Sequence, residues 1–335
     1  MPGLAGLLAA LLAVACSAAS TVPTAAGNAP SDSASIPLAA KQAGFTHNTY
    51  HVANITASQI DFGQKLASGK KLYFWNLWGC RATDSEAKLP GNGTVELVSH
   101  CGPSATLMSG MIKPGSPGYV GTAFGGGGYF EAEIAYDPAL ATKLSYGWPA
   151  WWTMSAEHLW ALPAAKWPRQ AAVDGVPYEH FIEPDIFEAQ VPTRDNTSYA
   201  ASVHEWYGAY GKTCRNFCSF SSPQWVNLKS APPGNNWAAW HELGMLWVPA
   251  TSSKPGSLTF FLDNVRQGAP LTWKKYDARR HSPPIGSLTP WRFGVIDDQH
   301  LVLIVGSGRK IEGRVPLRVR SINVWQASAA HNLSS

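Results

Sequence analysis

Short runs of alternating or aromatic-rich residues recur along this chain, each closed by a cluster of Gly, Pro, Asn or Asp. They fall at 71–77, 94–99, 129–136, 181–189, 202–207, 243–248, 258–262, 301–305 and 317–325. Side chains of a strand point alternately to two faces, so a period of two describes strands with one buried face. Residues 199–210 have the length of a helix but are too aromatic and β-branched to read as one. Many short strands, tight turns and no long amphipathic helix leave a sandwich or barrel as the architecture. Of the 335 residues 45% are apolar and 14% charged, enough for a large core in a single all-β domain.

No linker interrupts the chain after Lys41, so residues 41–328 read as one β-sandwich domain followed by a short tail at 329–335. Residues 20–40, mostly Ala, Ser, Thr, Pro and Gly, read as a flexible leader. Ahead of it an apolar run at 4–14 is followed by Ala15, Ser17, Ala18 and Ala19. This reads as a secretory signal over residues 1–19, too short to span a bilayer. Ala13-Val14-Ala15-Cys16 also resembles a lipoprotein cleavage site, which would leave a lipid anchor at Cys16. The protein is therefore expected to be secreted or periplasmic, free or anchored, without a membrane span.

Beyond Cys16 stand Cys80, Cys101, Cys214 and Cys218, an even set that suggests disulfides in an exported chain. Local pairing of Cys80 with Cys101 and of Cys214 with Cys218 is one of three possibilities. Their spacing lacks the paired C-x-x-C of a zinc site, and no metal or other cofactor is expected. Sequons at Asn54, Asn92, Asn196 and Asn332 matter only in a eukaryotic host. The formal charge of +4 is spread without a dense basic block, which argues against nucleic acid as a partner. A monomer is expected.

The densest chemistry lies in Glu183-Pro184-Asp185-Ile186-Phe187-Glu188. In a regular strand Glu183 and Asp185 share a face and Glu188 falls on the other. A β-bulge between Asp185 and Glu188 brings Glu188 back to the first face. Three acids in one row repel and raise at least one pKa, which neither a core nor a solvated strand needs. A glycosidase needs it: one carboxylate attacks the anomeric carbon while a protonated one releases the leaving oxygen. Retaining enzymes hold the two carboxyls about 5–5.5 Å apart. Four strand steps span roughly 13 Å between Cα atoms, a gap two long Glu side chains leaning together can close. A short acidic match of this kind also arises by chance on an edge strand facing water, so its surroundings decide.

Those surroundings are Gly128-Tyr129-Phe130-Glu131-Ala132-Glu133-Ile134, Trp148-Pro149-Ala150-Trp151-Trp152, His204-Glu205-Trp206, Trp240-His241-Glu242-Leu243-Gly244-Met245-Leu246-Trp247, Leu258-Thr259-Phe260-Phe261-Leu262-Asp263 and the closing run 319–326. In order and spacing they resemble glycoside hydrolase family 16, the laminarinase, agarase and carrageenase group, over residues 94–326. The resemblance implies a concanavalin A-like jelly roll of two curved antiparallel sheets with a cleft across one face. It implies Glu183 as nucleophile, Glu188 as general acid/base and Asp185 as their helper. The extra residue before Glu188 resembles the bulged branch, which holds β-1,3-glucanases and galactan-cleaving enzymes. Endo-acting, retaining hydrolysis of a β-linked polysaccharide is expected, β-1,3-glucan first and β-galactan second. Transglycosylation and silent, lectin-like glycan binding on the same fold are the alternatives.

Trp148, Ala150 and Trp152 share a strand face and are expected to form a sugar-stacking floor, with a sheet–sheet core as the alternative. His204 and Trp206 share a face and are taken as subsite residues. Trp247 and Phe261 are expected in the core, and Glu131 and Glu133 are expected to pair with Arg on the far side of the sandwich. Gly125 to Gly128 reads as a pliable loop. Two departures from the family pattern stand out. Pro184 lies between two of the acids, where it cannot donate a ladder hydrogen bond. Arg320 occupies the place where the resemblance implies an Asp that helps bind a structural calcium, so no ion is expected there.

Overall fold

Alternation along the chain becomes burial in the computed structural model. It describes residues 35–63, 65–76, 87–98, 105–112, 118–138, 148–160, 162, 171–189, 199–222, 236–277, 289–308 and 316–334. All of them fall within one unit, Asp32–Ser335. Along β17 (Leu301–Gly308), Leu301, Leu303 and Val305 enter one apolar cluster while Val302 and Ile304 enter another on the opposite face. Among the described residues each run read as a strand from the sequence contains one.

The strands form two large sheets. One runs β13 (Cys218–Ser221), β12 (Ala200–Ala209), β11 (Tyr178–Glu188), β10 (Trp148–Ser155), β17, β6 (Ala105–Met108), β3 (Leu72–Asn76), β2 (Ile60–Asp61). The other runs β16 (Val265–Trp273), β15 (Gly256–Leu262), β14 (His241–Val248), β9 (Gly128–Ala135), β18 (Leu317–Gln326), β5 (Val95–Leu97), β4 (Ala87–Lys88), and β1 (His47–Val52) also pairs with β18. A small third sheet joins β7 (Gly110–Ile112), β8 (Tyr119–Ala123) and β19 (Leu333–Ser334). Among the described pairs only β2 with β3 is parallel. Turn chemistry sets register locally: β15 and β16 join through Asp263-Asn264, both at positive φ (49° and 63°), as a two-residue type I′ hairpin requires.

The inner faces of the two large sheets share one core, with Phe130, Leu243, Met245 and Trp247 from one meeting Trp151, Ile182, Phe187 and Leu303 from the other. Each such side chain contributes about 1.5–3 kcal/mol by leaving water. The molecule is thus the all-β jelly-roll sandwich expected. Trp247 lies in this core; its indole and that of Trp273 donate to the buried end of Asp297 at 3.2 and 2.8 Å. Phe261 is buried elsewhere, on the outer face of the β9 sheet with Tyr129 and Trp325, beneath α1 (Leu38–Gln42).

Two boundaries differ from expectation. Helix α1 overlaps the leader placed at 20–40, because fully buried Ala40 packs into that outer cluster. The tail at 329–335 carries β19, whose Leu333 and Ser334 pair with Ala123 and Thr122. Nor is the glycine run a pliable loop. Gly126 and Gly127 turn at φ 73° and 85°, and the Gln326 amide donates to the Gly125 and Gly127 carbonyls at 2.9 and 3.0 Å. A side chain at Gly127 would meet Pro249 at 2.4 Å, so the turn is packed and needs glycine.

Of the two far-side acids, Glu133 pairs with Arg320, whose guanidinium binds both carboxylate oxygens. A bound cation does not fit there, since the guanidinium already takes both oxygens and adds positive charge. Among the described residues Glu131 has no Arg partner. It faces Asn323 and Glu242, and one of its buried oxygens is unpartnered.

Candidate active site

Strand β11 crosses the middle of its sheet between β10 and β12. Ile182, Ile186 and Phe187 turn inward to the core, which leaves Phe181, Glu183 and Asp185 on the outer face. Two consecutive inward residues require a bulge, and the register contains it. Asp185 lies opposite Ser202 and Glu188 opposite Ala200, so three steps on β11 match two on β12. On the other side Phe187 lies opposite Trp151 and Asp185 opposite Trp152, which makes Ile186 the extra residue. Glu188 returns to the outer face beside Ala150. The three carboxyls stand in one row.

Neighbouring strands supply partners by the same parity. Glu183 lies opposite His204, which lies opposite Ser221 on β13. The Trp206 indole N–H donates to Glu183 Oε2. His204 Nε2 lies 3.0 Å from Asp185 Oδ2, and Ser221 Oγ lies 2.8 Å from His204 Nδ1. Ser202 Oγ donates to Asp185 Oδ2 at 3.3 Å and lies 3.1 Å from His204 Nε2. In the tautomer whose Nε2–H faces Asp185, Nδ1 is the nitrogen that accepts from the Ser221 hydroxyl.

Asp185 is 4% exposed, whereas Glu183, Glu188, His204 and Trp206 are half-buried. Burial pushes Glu183 well above the usual carboxylate range, and the Asp185 charge pushes it further. His204 and the Trp206 hydrogen bond pull it back, and Glu188 adds to the rise. Asp185 is held well up by burial and then by Glu188, against the Ser202 hydrogen bond. Carboxyls that raise one another in this way release their protons in turn, so such a row can supply an acid and a base side by side.

Pro184 fits because β10 leaves β11 at this point. Their pairing ends at Trp152 opposite Asp185, and the Thr153 hydroxyl donates to the Pro184 carbonyl at 3.3 Å. Farther along, the Gln299 side chain takes the place of a strand, accepting from Ile182 N–H at 3.3 Å and donating to the His180 carbonyl at 2.9 Å. The absent proline N–H is therefore not needed by a ladder.

Glu183, Asp185, Glu188, His204 and Trp206 lie together on one outer face. Trp152 lies on the outer face beside Asp185, but it is 9% exposed, packed with Tyr73, Met108 and Ile304 in a second apolar cluster. The inter-sheet tryptophan is its neighbour Trp151. Trp148 opens β10 opposite Gly308, and its side chain lies outside the described residues. Cys214 and Cys218 form a disulfide at the end of the connection between β12 and β13; Cys80 and Cys101 lie outside the described residues. Ser202, Ser221, Thr153 and Gln299 were not read from the sequence. Ser202 alone carried a signal, the parity it shares with His204.

No family model matches the chain, and no curated protein matches it in sequence. Among solved structures it is similar to an endo-1,3-β-glucanase from Streptomyces sioyaensis, with 17% identity and a TM-score of 0.42 over 76% of this chain and 81% of that one. It is similar to β-agarase B from Zobellia galactanivorans, with 13% identity and a TM-score of 0.45 over 79% and 86%. The Emp46p carbohydrate recognition domain matches with 10% identity and a TM-score of 0.40 over 83% and 97%. The likeness is one of fold, at low identity.

Proposed function

We propose that this protein is an endo-acting, retaining glycoside hydrolase of a β-linked polysaccharide, built on the family 16 plan. The observation that carries the reading is the row of Glu183, Asp185 and Glu188 on one outer face, restored by a bulge and tied to Trp206 and His204. Glu183, ionised when sugar binds, attacks the anomeric carbon while Glu188 protonates the glycosidic oxygen. Water, deprotonated by Glu188, then releases the sugar from Glu183. Asp185, held by His204 and Ser202, keeps Glu183 oriented and shares the proton of the row. Trp206 fixes the nucleophile and offers its ring to the sugar, and Trp152 backs the floor beside Asp185.

The bulged motif and the tryptophan-rich composition favour β-1,3-glucan as substrate, with β-galactan second. The signal-like N-terminus and the Cys214–Cys218 disulfide favour action outside the cytoplasm. Glu183→Gln is expected to abolish release of reducing ends from laminarin and agarose while glycan binding persists. Proton NMR of the first wild-type products should give the β anomer, because two displacements restore configuration. An initial α anomer would exclude the retaining mechanism, and full activity of the variant would exclude Glu183 as nucleophile. Glycan binding by the wild type without turnover would establish the lectin alternative.

A further inference from the structure

Two residues along β11 from Glu183, Phe181 lies on the same outer face, only 2% exposed. Three rings cover it. His158, from the short helix α2 (Ala156–Leu159), stacks on it at 3.8 Å between centroids and 4° between planes. Phe217 meets it edge-on at 5.1 Å, and Trp206 lies 6.5 Å away at 19°. Beyond Phe217, Tyr210 lies 5.3 Å off and is 57% exposed. Tyr210 and Phe217 both sit on the β12–β13 connection, whose end carries the Cys214–Cys218 disulfide. Beside the rings His158 Nδ1 lies 2.7 Å from Glu179 Oε2, with both side chains about a quarter exposed (26% and 25%).

A tyrosine left more than half exposed at the end of such a row adds little to the core. Half-exposed rings beside a partly exposed carboxylate suit a ligand with an apolar face and a hydroxyl rim, which describes a pyranose. Trp206 joins the row to the acids, donating to Glu183 while its ring faces Phe181. We propose that Tyr210, Phe217, His158 and Glu179 form an accessory shelf that binds a further sugar unit of the same β-glycan, beside the point of cleavage. Tyr210 supplies a stacking face, and Glu179 accepts sugar hydroxyls. The disulfide encloses Phe217, and Tyr210 follows directly on the last residue of β12, so little ordering is needed on binding. This inference rests on the glycan-hydrolase reading above.

The test is kinetics on laminaribiose through laminarihexaose, and on the matching agaro-oligosaccharides, for wild type, Tyr210→Ala and Tyr210→Phe. Tyr210→Ala should raise KM for the hexasaccharide about fivefold to tenfold, the scale of one lost ring contact, with a smaller rise for the disaccharide. Tyr210→Phe should restore the wild-type dependence on chain length, since the ring and not the hydroxyl makes the contact. Thermal melts of both variants should match wild type, because Tyr210 is exposed. With an active wild type, a loss equal at every chain length, or none, would overturn the shelf alone. If wild type neither binds nor cleaves either series, the hydrolase reading fails and the shelf falls with it.

Discussion

Ser221 carries no chemistry that a sequence reader would single out, yet it ends a line that starts on Asp185 and passes through His204. Its hydroxyl meets the imidazole nitrogen opposite the one that faces Asp185. Ser221→Ala should therefore lower kcat by up to about tenfold, the scale of one hydrogen bond, with KM nearly unchanged. The pH profile of kcat should shift as well, because Asp185 loses a fixed donor. A profile and kcat equal to wild type would show that His204 is positioned by Ser202 alone. The three acids were legible because strand parity and one inserted residue put them on a single face. Ser221 was not, since β13 reaches β12 through a connection whose length says nothing about register. Trp152 was half legible: parity gave its face, but the cluster that covers it comes from strands far away in the chain.

At the scale of elements, what matters is where β10 and β11 part. A central strand with a proline reads as a contradiction in sequence, and the fold resolves it by ending the ladder at that residue. Gln299, 2% exposed, then stands in for the departing strand. Gln299→Leu would leave the Ile182 N–H buried without this acceptor and would take a donor from the His180 carbonyl. A loss of about 1–3 kcal/mol per group is expected, read as a lower denaturant midpoint. Because Ile182 precedes Glu183, kcat should fall too, even where the variant is fully folded. An unchanged midpoint would mean that another donor reaches those groups. This substitution of a side chain for a strand is invisible to periodicity, which counts apolar positions and cannot see which neighbour completes a backbone.

At the scale of the whole molecule, five carboxyls on different elements are displaced in one direction. Glu183 and Asp185 on one sheet, Glu131 and Glu242 on the other, and Asp297 between two indoles are all held above the ordinary carboxylate range, with burial the first cause in each. Glu131, where Glu242 adds to burial and Asn323 opposes, is pushed up to about 8. An acid raised on folding makes the native state bind more protons than the unfolded chain, so stability falls as pH rises between the two values. That window opens near the ordinary carboxylate values of 3.8 to 4.5 and, for Glu131, closes near 8. His241 adds to the same trend. Burial lowers its pKa, but hydrogen bonds to Asp263 and the Asn236 carbonyl outweigh that and raise it above 6.5. Its contribution is full below 6.5 and is lost as pH rises through the folded value. Thermal melts from the acid side of neutrality to pH about 9 should therefore show Tm falling with pH, against the common maximum between about 5 and 8. Glu131→Gln should flatten part of that fall and raise Tm most at the alkaline end, since it removes a buried charge that lacks a cation. A Tm that rises towards alkaline pH would mean that burial does not hold these carboxyls above their ordinary range in the native protein, and the proposed sharing of a proton along Glu183, Asp185 and Glu188 would lose its support.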